Sequence, residues 1–295
     1  MKRVLLIPIL ALFSAVLHGQ TSLKYSLKEG DTFTIKQSAQ QLITQEIDGA
    51  AHEITNTIDG IMEFRVLGET EDNYSVAVTF KDLNLSMSSS IQGTLMDVKA
   101  GDVTSEDPQS KIFNSLLNTP VQIILAKNGD VLEVNGGDSL VAKMAKASGV
   151  EDQFTLNMMK KSLEKEFGSE ALSNSYKQMT YIYPDDDKEV GESWENEYSG
   201  KLATKNVWTL DKVTETETDL SCKADVVMDL KEPATTMKLT GTQDTQVTAD
   251  SESGFILKMT VEGISEGTST LAQMGDQEIP TTIKSLITYE LIDNL

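Results

Sequence analysis

The sequence states one structural instruction twice. Gly30-Asp31-Thr32-Phe33 returns as Gly191-Glu192-Ser193-Trp194, and each start leads into a long run of alternating apolar and polar residues. Each run closes on a Gln-led apolar segment, a turn and a strand, from Gln122 to Gly136 and from Gln246 to Gly263. A pattern repeated in the same order constrains architecture more than any single motif. The alternation is strand-like. Ile54, Ile58, Met62, Phe64 and Val66 share one side, with Thr55, Thr57, Asp59 and Glu63 opposite. Tyr74, Val76, Val78 and Phe80 repeat it, as do Phe255, Leu257, Met259 and Val261. One dry face and one wet face mark antiparallel sheet. Asn128-Gly129, between Val121–Leu125 and Val131–Val134, is hairpin sequence.

Between the two runs the period lengthens to three and four. Ser139 to Ser148 reads as a short helix, capped by Asp138 or Ser139 and stopped by Gly149. Leu156, Met159, Leu163 and Phe167 then form an amphipathic stripe ended by Gly168. The predicted fold is mostly β (α+β). Two related curved antiparallel sheets, residues 20–137 and 180–295, are joined by a helical segment at 138–179. Their dry faces must be covered, by each other or by the helices. In the second arrangement, which resembles the half-barrel of periplasmic lipoprotein carriers, Leu156, Met159, Leu163 and Phe167 cover a ligand cavity.

Residues 1–19 read as a secretory signal. Lys2 and Arg3 precede an apolar stretch, Val4 to Leu17, that is short for a membrane span. The expected cut falls between Gly19 and Gln20, and no Cys stands there to carry a lipid anchor. Loss of Lys2 and Arg3 would take the net charge from −21 to −23. Such a charge repels phosphate backbones and anionic surfaces, so neither nucleic-acid binding nor stable membrane insertion is expected of the mature chain. The expected location is periplasmic or secreted.

Tyr181-Ile182-Tyr183-Pro184 leads into Val190-Gly191-Glu192-Ser193-Trp194, and Tyr25 stands before the earlier Gly30-Asp31-Thr32-Phe33. This pattern resembles uncharacterised secreted β-rich domain-of-unknown-function proteins of Gram-negative bacteria, over Tyr25 to about Leu291. The resemblance implies export and a β architecture. It brings no catalytic residues.

The residue inventory offers little to chemistry. After export His52 is the one histidine and Cys222 the one cysteine, too few for an N/S zinc cage, haem or an iron–sulfur centre. Cys222 stands on an apolar strand face with Leu220, Ala224 and Val226, where a buried thiol behaves as a small hydrophobe. Asp185-Asp186-Asp187 with Glu189 lacks the spacing and central Gly of an EF-hand, and reads as a solvated loop whose calcium binding stays open. No phosphate-binding Gly loop, G-x-S-x-G elbow or H-E-x-x-H occurs. The sequence thus predicts a non-enzymatic envelope protein, without cofactor, whose concave apolar sheet binds a lipid or another hydrophobic molecule. The alternative is a structural or protein-interaction module of the envelope with no small-molecule ligand.

Overall fold

The structure, a computed structural model, describes residues 20–102, 104, 107–232, 234–275 and 277–294. The expected signal segment, with Gly19, lies outside the described residues; Gln20 is exposed. The chain begins with long strands β1 (Thr32–Ile47), β2 (Ala50–Glu69) and β3 (Asn73–Ser89), then a short β4 (Gly93–Lys99) and helix α1 (Pro108–Asn114). The hairpin β5 (Val121–Ala126) and β6 (Val131–Asn135) follows, then helices α2 (Gly137–Ala147), α3 (Gln153–Phe167) and α4 (Ser169–Thr180). The second run holds β7 (Ser193–Tyr198), β8 (Leu202–Val213), β9 (Glu217–Lys231), β10 (Thr235–Asp250), β11 (Ile256–Leu271) and β12 (Ile279–Asn294).

Burial follows the period of two. In β9, Thr218, Leu220, Cys222, Ala224 and Val226 are buried and the residues between them are more exposed. Every strand pairing is antiparallel, so the mostly β class stands as the alternation predicts. The two runs are nevertheless one sheet, in the order β6-β5-β3-β2-β1-β12-β11-β10-β9-β8-β7, with β4 paired to β3 off this path. β12 makes the join, pairing with β1 on one side and β11 on the other. Its pairing with β1 is long-range and leaves no mark in the local pattern.

The helices do not link two sheets; they bridge the free edges of one. β6 and β7 are the edges at the two ends of the strand order. The Thr180 hydroxyl donates to the Gly129 carbonyl in the β5–β6 turn at 2.7 Å, and Lys177 pairs with Asp130. On the other edge the Tyr181 carbonyl accepts from Asn196 Nδ2 at 2.7 Å and the Tyr198 hydroxyl at 2.9 Å, and Trp194 Nε1 donates to the Ile182 carbonyl at 3.2 Å. One short stretch bonds both edges, so the sheet is curled around it without closing into a barrel. Helix α2 differs from expectation at its start: the cap position is Gly136, at φ 100, not Asp138 or Ser139. The chain turns straight out of β6 into the helix, leaving no extended residue to offer a side-chain cap.

One end of the curl is plugged. Segment 21–27 crosses it, with the Tyr25 N–H donating to the Lys127 carbonyl and the Ser26 N–H to the Ser253 carbonyl, both at 2.8 Å. Leu23, Tyr25 and Leu27 are buried there. Tyr25 packs edge-on to Tyr183 and Phe255, and Phe255 stacks on Phe33 at 3.9 Å between ring centres. Leu140 and Met144 of α2 and Leu172, Tyr176 and Met179 of α4 complete this core. A second, smaller apolar cluster, Ile43, Leu239 and Ile283, lies farther along the strands.

Candidate functional site

Between the two clusters the concave face leaves a cavity of about 210 Å³. Its apolar wall comes from Val226 and Met228 of β9, Val261 of β11, and Ile283, Ile287 and Tyr289 of β12. Gln41, Gln243 and Gln178 bring amides to it from β1, β10 and α4. None of its lining residues is Asp, Glu, Lys, Arg or His.

Strand register explains the amides. Asn56, Gln41, Ser285, Gly263, Gln243, Ala224, Asn206 and Asn196 are successive cross-strand partners from β2 to β7, so five amides share one row of the concave face. The next row toward the plug is largely apolar, running Ala39, Ile287, Val261, Thr245, Cys222, Trp208. Within the amide row, Asn56 Nδ2 donates to Gln41 Oε1 at 3.0 Å, and Asn206 Nδ2 and Trp208 Nε1 donate to Asn196 Oδ1 at 2.9 and 3.1 Å. Asn56 Oδ1 and Asn206 Oδ1 are left buried without a hydrogen-bond partner among the described residues. A Cβ on Gly241 would lie 1.9 Å from the Ile264 carbonyl oxygen, so only glycine lets β10 and β11 approach so closely there.

The four residues expected to cover a cavity do not line this one. Leu156, Met159, Leu163 and Phe167 form the half-buried inner side of α3, which packs on α2 and α4, and α3 buries no residue fully. Leu163 and Phe167 touch the edge of the main core, and Phe167 meets Phe113 edge-on. The period of a helix tells which side is apolar, not what that side rests on. The helical residue that reaches the cavity is Gln178 of α4. The amide row is not among the expected site residues. Its signal was available: Asn196 between Trp194 and Tyr198, and Asn206 between Thr204 and Trp208, put amides on the dry parity of their strands.

Cys222 is 4% exposed, and burial pushes its thiol pKa up to about 12, so it is protonated and no nucleophile at neutral pH. Burial also pushes the Tyr289 hydroxyl up to about 12. His52 lies on β2 opposite Gln45, not in the turn itself. Asp185 accepts from Asn128 Nδ2 at 2.8 Å and Asp186 pairs with Lys188 at 2.9 Å. Among the described residues no three potential metal ligands of the His, Cys, Asp or Glu type converge.

A family model matches residues 71–256, from the turn before β3 into the start of β11. The chain belongs to DUF6263, a family of unknown function. No curated protein matches the sequence. Among solved structures the chain is similar to lipovitellin, described for its lipid–protein interactions, at 12% identity and a TM-score of 0.52 over 92% of this chain and 26% of that one. This DUF6263 protein therefore spans about a quarter of lipovitellin, and the likeness is one of fold. Weaker likenesses are to an outer membrane channel from Pseudomonas putida F1 (8% identity, TM-score 0.25, 91% and 97% of the two chains) and to a putative outer membrane lipoprotein-sorting protein domain from Vibrio parahaemolyticus (10%, 0.14, 90% and 85%). Neither score supports a structural argument. Among the described residues of the DUF6263 chain, no helix is long and apolar enough to cross a membrane.

Proposed function

We propose that this protein is an exported, non-catalytic binder of a hydrophobic small molecule, held inside the curl of its sheet. The observation that carries the reading is the cavity of about 210 Å³, walled by apolar side chains of β9, β11 and β12 and with no Asp, Glu, Lys, Arg or His in its lining. Close-packed interiors leave few voids larger than a water molecule. The volume is below that of a pocket for a whole drug-sized ligand, roughly 300–1,000 Å³, and suits one slender chain. The fold it shares with lipovitellin, a protein described by its lipid interactions, agrees with this reading. Mass spectrometry of an organic extract from natively purified protein tests it. A stoichiometric apolar molecule is expected; an empty extract together with no uptake of an apolar probe overturns it.

A second reading is an interaction module of the envelope. It is favoured by an open depression of about 580 Å³ on the outer face, where Leu42, Ile264 and Leu286 surround Lys284. Ile264 and Leu286 are 40% and 42% exposed there. An empty extract would make this depression the surface to test.

A further inference from the structure

We infer that the cavity selects an uncharged ligand that carries a hydrogen-bond donor, such as a fatty alcohol or a monoacylglycerol, over fatty acids and alkylamines of equal length. The inference rests on the ligand-binding reading above and deepens it. It starts from the amide row. Asn56 and Asn206 each spend an N–H on a neighbouring amide, and each keeps a buried oxygen with no partner among the described residues. Asn206 is 2% exposed, so bulk water does not satisfy that oxygen. Both orphan groups are acceptors, and what an acceptor lacks is a donor. Neither Asn56 nor Asn206 lines the cavity itself; the row they belong to brings Gln41 and Gln243 into its wall, where Gln178 of α4 adds a third amide, and it is these amides that a ligand hydroxyl would meet.

Charge argues the same way. An ionised group brought into this lining would meet no counter-ion, and burying an unpaired charge costs far more than burying a hydroxyl. Lys284, Lys238 and Lys223 of these strands are exposed and alternate with the inward residues Ile283, Ser285, Leu239, Cys222 and Ala224, so they stand on the outer face. The net charge of −21 adds a field that repels anions. A neutral hydroxyl, by contrast, can donate to an amide oxygen and accept from an amide N–H at the same site.

The test is displacement of the neutral apolar probe N-phenyl-1-naphthylamine from delipidated full-length mature protein. Dodecanol, dodecanoate, dodecylamine and methyl dodecanoate compete at about pH 7.5, where the acid and the amine are both ionised. Dodecanol is expected to displace the probe at least about tenfold more strongly than either ion, and more strongly than the ester, which has no donor. Gln41→Leu, with Gln243→Leu as a second variant if the first melts early, is expected to narrow the alcohol–ester gap to less than about threefold. Equal binding by dodecanoate or dodecylamine, an ester as good as the alcohol, or a gap unchanged in both variants overturns the inference and leaves the binding reading standing. No displacement by any of the four overturns both.

Discussion

Gly30 and Gly191 hold the same turn at two places in the sheet, with φ of 96 and 93. The Gly30 N–H donates to the Val66 carbonyl at 3.0 Å, and the Gly191 N–H to the Leu210 carbonyl at 2.7 Å. In return the Val66 N–H donates to Asp31 and the Leu210 N–H to Glu192. The acid after each glycine turns back on its own loop: Asp31 accepts from the Lys28 N–H and Glu192 from the Glu189 N–H, both at 2.8 Å. The match extends beyond the turn. Phe33 opposes Phe64 as Trp194 opposes Trp208, a bulge follows at Val66/Gly68 and at Leu210/Lys212, and Thr70 and Thr214 cap the next turns alike. Even the Gln-led hairpins agree, with register shifts at Ile124/Leu125 and Thr248/Ala249.

These turns make paired predictions. A Cβ on either glycine would meet no atom within 4 Å, so alanine would be opposed by backbone conformation alone. Gly30→Ala and Gly191→Ala should therefore each cost roughly 1–2 kcal/mol, and by similar amounts. Urea unfolding of the two variants and their double mutant checks this. The sum of the single effects is expected in the double mutant, since the sites share no partner.

Those glycines could be marked in the sequence because positive φ and an acid that bonds backward leave few residue choices. Strands were legible for a similarly local reason: burial on one face writes a period of two into Met62, Phe64 and Val66. The union of both runs through β12 was not, because Gln41 meets Ser285 across most of the chain length and each run has a complete dry face of its own. Nor could the sequence say that α3 rests on helices, or that five amides far apart in the chain would fall in one row. Register, which decides both the row and the cavity, is a property of pairs of strands.

Cys222 should resist thiol reagents in the folded protein. With its pKa at about 12, the thiolate fraction at pH 8 is about 10⁻⁴. Labelling is expected only at the rate of unfolding, which urea would raise. The pKa is higher folded than unfolded, so the folded chain holds the proton longer, and this group's contribution to stability falls as pH rises above about 8.5. Cys222→Ser should cost about 1–3 kcal/mol by placing a second polar group beside Trp208 and Thr245.

Asp152 caps α3, accepting from the Thr155 N–H and hydroxyl, both at 2.7 Å. These bonds hold its pKa below the ordinary aspartate value. The folded value is depressed, so the cap's contribution is present above the unfolded pKa of about 3.9 and is lost as pH falls through the folded value. The readout is the difference between wild type and variants. Wild type should lose helical circular dichroism more steeply below about pH 4 than Asp152→Ala, while Asp152→Asn keeps the cap and flattens the profile.

Two substitutions separate the cavity from the helical cover. Ser285 lines the cavity and is half-buried, so Ser285→Leu adds apolar volume where space exists. Filling a void recovers contacts its lining had lost, and the variant should melt at or above wild type. It should also abolish uptake of an apolar fluorescent probe, because the added side chain takes the probe's place. Leu163→Trp does the reverse. Leu163 sits where α3 meets the edge of the core and away from the cavity lining, so the extra bulk forces apart packed helices at a cost of about 1–3 kcal/mol. Uptake should survive in whatever fraction stays folded. Thermal melting and probe titration of the two proteins together decide the matter. Uptake lost in Leu163→Trp and kept in Ser285→Leu would move the ligand out of the sheet's curl and under α3.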